Sequence, residues 1–94
     1  MDDRTAADRG TREARALQRA NEARRRAARE HDAALADDEA ARHADTSAGR
    51  EQHAHAASTH RAAEKAHLDA VACHERAASL QAEHTRHLDG PERV

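Results

Sequence analysis

Alanine supplies 26 of the 35 hydrophobic residues in this 94-residue chain, and the sequence contains no Phe, Trp, Tyr or Ile. The remaining apolar residues are five Leu, two Val, Met1 and Cys73. A buried methyl contributes about 0.8 kcal/mol, whereas a buried Leu or Val contributes about 1.5–3 kcal/mol. Sandwiches, barrels and Rossmann-type domains are built around walls of large apolar side chains, so this composition excludes them. Alanine does permit close approach between helices, where small side chains let two backbones lie side by side.

Ala, Arg, Glu, Gln and Leu, all strong helix formers, make up more than half of the chain, while Gly occurs three times and Pro once. A charged fraction of 36% and a mean hydropathy of −1.14 favour a solvated chain. The formal net charge is only −2, and the apolar positions are periodic, which favours helix over disorder. Fifteen Arg against one Lys, with abundant Ala, also fits the coding bias of a GC-rich genome.

The period is seven. In the first half Ala6, Glu13, Ala20, Ala27, Ala34 and Ala41 occupy one core position (a), with Arg9, Ala16, Ala23, Glu30, Asp37 and Ala44 at the other (d). The second half restarts out of phase, which predicts Ala56, Ala63, Ala70, Ala77 and His84 at a, with Thr59, Ala66, Cys73, Leu80 and His87 at d. The break falls at Asp45-Thr46-Ser47-Ala48-Gly49, where poor helix formers cluster, with Ser47 able to cap a helix and Gly49 able to take a positive φ. The expected architecture is therefore all-α: helix 5–44, turn 45–49, helix 50–88 and a short tail 89–94 after a stop at Gly90-Pro91. The two arms pair as an antiparallel, Ala-rich coiled-coil hairpin in a single domain, 1–94. One long continuous helix is the alternative.

The predicted association seam is Ala16, Ala20, Ala23, Ala27 and Ala34 against Ala63, Ala66, Ala70, Cys73, Ala77 and Leu80. Its layers are Ala16/Ala77, Ala20/Cys73, Ala23/Ala70 and Ala27/Ala66, with Cys73 a small buried filler. A further row, Ala7, Ala14, Ala28 and Leu35 on one arm and Ala57, Val71 and Ala78 on the other, is left partly uncovered. That row points to a partner: a second copy, giving a four-helix bundle, or another helical protein.

Nine His make the chain unusual. His53, His60, His67 and His74 recur every seven residues, about 10 Å apart along a helix, too far for neighbours to share an ion. The expected register brings His31 beside His60, with Glu64 one turn from both His60 and His67. His31, His60, Glu64 and His67 are thus the candidate metal set, with Zn²⁺ or another divalent ion as occupant. Glu64-Lys65-Ala66-His67 is a single Glu-x-x-His, of which a di-iron bundle needs two. His84 and His87 sit one turn apart. Protonating all nine His would carry the formal charge from −2 to about +7, so self-association is expected to weaken on acidification.

Residues 12–29 carry seven Arg against two Glu, including Arg24, Arg25, Arg26 and Arg29, a candidate nucleic-acid face. Residues 30–45 answer with six acids and one Arg, and no aromatic residue is present to stack on a base. No phosphate-cradling Gly-rich loop, Gly-x-Ser-x-Gly or Cys-x-x-Cys is present, which argues against an enzyme. Neither a membrane-spanning run nor a basic leader is evident, giving a cytoplasmic expectation without membrane partners or a small-molecule substrate.

Through His53-Ala54-His55-Ala56-Ala57 and His74-Glu75-Arg76-Ala77-Ala78, most of residues 50–88 resembles small Ala/His-rich heptad proteins of high-GC bacteria such as actinobacteria. The resemblance implies coiled helical architecture and nothing catalytic. Length and hairpin layout are also similar to the secreted WXG100 proteins, with Ser47-Ala48-Gly49 at their turn motif. The Trp and the tail Tyr of that family are missing here, and membership is not adopted. The sequence as a whole reads as a non-enzymatic helical interaction protein, with a His-based metal or pH-responsive binder and a weak nucleic-acid binder as alternatives.

Overall fold

A computed structural model describes the backbone of residues 3–89 and the side chains of residues 10–87. The chain forms an all-α helical hairpin of α1 (Asp3–His43) and α2 (Ser47–Asp89). The one-helix alternative fails because the helix is interrupted at residues 44–46. The Gly90-Pro91 stop and the tail beyond Asp89 lie outside the described residues.

The break differs from expectation in which residues make it. At the end of α1 the Ala44 amide bonds back three residues to the Ala41 carbonyl at 3.4 Å, tightening the last turn. The cap of α2 is Thr46 rather than Ser47: its hydroxyl accepts the Gly49 amide at 2.9 Å, and its carbonyl accepts the Arg50 amide at 3.0 Å. Gly49 therefore lies three residues inside the cap, within α2, and its φ is not positive. Arg50 also donates from its guanidinium to the Ala44 carbonyl at 3.2 Å, satisfying one of the acceptors that α1 leaves open at its C-terminus. The result is a turn shorter than the expected 45–49, with α2 starting at 47 instead of 50.

Contacts divide the chain into two units, Ala23–Asp69 and Met1–Glu22 with Ala70–Val94. Each pairs a stretch of α1 with a stretch of α2. Among the described side chains, the buried residues are Ala23, Ala27, Ala34 and Ala57 in the first unit and Ala16, Ala20, Val71 and Ala78 in the second. The α1 positions are those of the heptad reading. On α2 the face is a correction: Ala66, Cys73, Ala77 and Leu80 are exposed, and Ala63 and Ala70 are half-buried. The buried row is one residue later, so Ala57, Val71 and Ala78, expected to await a partner, are covered within the hairpin, and Cys73 is not a buried filler.

Polar matching explains the rotation. Glu30 and Asp37 occupy d positions on α1, and acidic groups in a seam cost stability unless something donates to them. The expected face would set alanines against them. Turning α2 by one residue instead brings in the half-buried His53 and His60, each with a ring N–H to give.

Candidate histidine–carboxylate site

The unit Ala23–Asp69 contains a ladder of histidines and carboxylates across its helix pair. Its geometry follows from two matched repeats: His53 and His60 are seven apart on α2, and Glu30 and Asp37 are seven apart on α1. Because the helices run antiparallel, each step up one arm meets a step down the other. His53 Nδ1 donates to Asp37 Oδ1 at 3.0 Å. His60 Nδ1 donates to Glu30 Oε1 at 2.6 Å, and its Nε2 lies 3.5 Å from Asp37 Oδ2. His60 therefore stands between two carboxylates one heptad apart, and Asp37 is shared by two imidazoles.

Further pairs extend the ladder. His31 Nδ1 lies 3.2 Å from Glu64 Oε2, and Arg61 bonds to Asp38. Outside it, Glu39 binds Arg42 at 3.2 Å and His43 at 3.0 Å, and Lys65 binds Asp69 at 3.0 Å. The hydrogen bond and charge of Arg42, helped by His43, hold the Glu39 carboxyl below its ordinary range.

The proposed metal set is not assembled. Glu64 meets His31, but His60 is turned to Glu30 and Asp37 rather than set beside His31, and no ion pair joins His67 to them. Among the described residues no group of three or more His, Cys, Asp or Glu side chains is placed to hold a metal ion. His84 and His87 are both exposed, beside Leu80 and Glu83. Of the Arg candidates, Arg25, Arg26 and Arg29 are exposed along α1, and Arg24 borders a shallow groove.

That groove, about 350 Å³, is floored by Ala27, Ala28 and Leu68 and rimmed by Arg24, His31, Asp32 and Glu64. The large apolar groups lie outside the seam: Leu35 is 51% exposed and Leu68 48%, with Leu17 at 46% and Leu80 at 59% in the other unit. Every Leu with a described side chain is thus about half in water, while the interior is Ala and one Val. Among the described residues no helix is long and apolar enough to cross a membrane.

The expected register set His31 beside His60 across the helices and did not pair His60 with Glu30 or His53 with Asp37, although the signal was present: the spacing of seven that separates the histidines also separates Glu30 from Asp37. Compared with family models, curated proteins and solved structures, the chain matches none.

Proposed function

We propose that this chain is a non-catalytic helical association module whose partner is a second copy of itself. The observation that carries this reading is the inversion of apolar size: alanines fill the hairpin seam, and the leucines are left outside it. Fully burying a Leu contributes about 1.5–3 kcal/mol, and close to half of that is unrealised for Leu35 and Leu68 while they face water. Charge supports a copy rather than another partner. Within Ala23–Asp69, α1 carries Arg24, Arg25, Arg26 and Arg29 and then Glu30, Asp32, Asp37, Asp38 and Glu39, of which Asp32 and Glu39 are exposed while Glu30, Asp37 and Asp38 also bond within the hairpin. Two such helices laid antiparallel about a two-fold axis near residues 29 and 30 set each basic stretch on the other's acidic stretch. The groove beside Ala28 and Leu68 gives the facing helix a seat, and the assembly is a four-helix bundle.

Sedimentation over a concentration series from micromolar to millimolar tests the proposal. The expected result is a sedimentation coefficient that rises with concentration in the natural chain and stays monomeric in the double variant Leu35→Gln, Leu68→Gln. A helical monomer throughout the series overturns it, and so does an assembly that the double variant leaves intact.

A further inference from the structure

We propose that the ladder around His60 is a proton-operated clamp that tightens the helix pair of Ala23–Asp69 on mild acidification. The inference does not depend on self-association. It starts from donor accounting at one ring. Ionised carboxylates only accept hydrogen bonds, and a neutral imidazole has a single N–H to give. His60 has Nδ1 on Glu30 at 2.6 Å and Nε2 facing Asp37 at 3.5 Å, so a neutral ring turns a lone pair toward one of the two carboxylates. Only the imidazolium turns an N–H toward both. His53 draws on the same Asp37 carboxylate, through the oxygen that His60 does not face.

The local charge leads to the same conclusion. Glu30, Asp37 and Asp38 from α1 and Glu64 from α2 bring four negative charges, and Arg61 brings one permanent positive charge. That leaves an excess of three negative charges. Three imidazoles, His31 from α1 and His53 and His60 from α2, face those carboxylates, and protonating all three removes the excess. Arg24 and Asp32, the remaining charged groups of the adjoining groove, are of opposite sign and leave the balance unchanged. An unfolded chain separates these groups, so a proton on His60 meets two facing carboxylates only in the folded unit, and mild acidification favours the paired helices.

The sign is opposite to the one expected for the whole molecule from net charge, where protonating nine His adds repulsion. A bundle of two copies is thus opposed by acid while each hairpin is tightened by it, which separates the two effects experimentally. The test is the thermal melt of the full chain, followed by circular dichroism from about pH 8 to about pH 5.5, at two concentrations tenfold apart. The melting temperature should rise by about 5 °C toward the acid side at both concentrations.

His60→Gln should abolish most of the rise, and His53→Gln part of it. His55→Gln serves as control, since that side chain is exposed and has no ion pair, and it should keep the rise. A flat or falling profile in the natural chain overturns the proposal, as does a full rise in His60→Gln or a rise that scales with concentration. If His60→Gln does not fold, nitrogen-15 NMR of the natural chain decides. Two protected ring N–H signals from His60 on the acid side support the clamp, and rapid exchange of both overturns it.

Discussion

Replacing Ala57 by Leu forces three more carbon atoms into the buried seam. Ala57 is wholly buried, and on the other helix of the same unit Ala34 is only 2% exposed, so the added atoms enter a seam lined with small buried side chains. Transfer alone would favour the change by about 0.8 kcal/mol per carbon. To collect that gain the helices must move apart, and separation loosens the close methyl contacts and the His60 bond to Glu30, which is only 2.6 Å long. Overpacking of this kind costs typically about 1–3 kcal/mol net. For a chain of this size, that lowers the melting temperature by about 5–20 °C. The matched control is Ala66→Leu, at a position that is exposed here but central to the seam expected from sequence. Its effect should stay within about 0.5 kcal/mol, as surface substitutions do. Melts of the three proteins, at equal concentration and pH, give the answer. A melting temperature in Ala57→Leu equal to or above that of Ala66→Leu would refute the packing argument, because it would mean that α2 presents another face.

Other consequences are simpler to check. Cys73 is exposed, so in the folded protein it should react with a disulfide reagent within a few-fold of its rate in denaturant; strong protection would place it inside the seam after all. Thr46→Ala removes the hydroxyl that caps α2 and should cost about 1 kcal/mol in a denaturant melt. Gly49→Ala improves helix propensity by about 1 kcal/mol, but its new Cβ would lie 3.1 Å from the Thr46 hydroxyl oxygen. Its benefit should therefore be small alone and larger in the Thr46→Ala background, a non-additivity that a double-mutant cycle measures. Glu39 contributes to the end of α1 while ionised. Since its carboxyl is held low by Arg42 and His43, that contribution is present above the ordinary carboxylate range and is lost as pH falls through the lowered value. Amide exchange in the last turn of α1, compared with Glu39→Gln, should show this loss in the natural chain alone.

Much of the fold was legible because alanine spacing and the cluster of poor helix formers at 45–49 are local signals. The rotation of α2 was not local. Small residues come in adjacent runs there, Ala56 with Ala57, Ala70 with Val71 and Ala72, Ala77 with Ala78, so a face one residue earlier looks nearly as apolar as the true one. What separates the two faces is the demand of Glu30 and Asp37, 30 and 16 residues from their histidine partners, for donors opposite them. The turn failed to read for a related reason: Thr46 and Ser47 are both capping residues, and only the hydroxyl that reaches the Gly49 amide identifies the cap. The candidate site suffered most. With α2 turned, His60 faces Glu30 and Asp37, and the set of His31, His60, Glu64 and His67 separates into different pairs.

The most direct test is a set of NMR proximity measurements on the full chain at low concentration, in a mixture of labelled and unlabelled protein that separates contacts within one molecule from contacts between two. The account predicts strong intramolecular cross-peaks from the His60 ring to the side chains of Glu30 and Asp37. Their absence, together with cross-peaks between the methyl groups of Ala66 and Ala27, would contradict it.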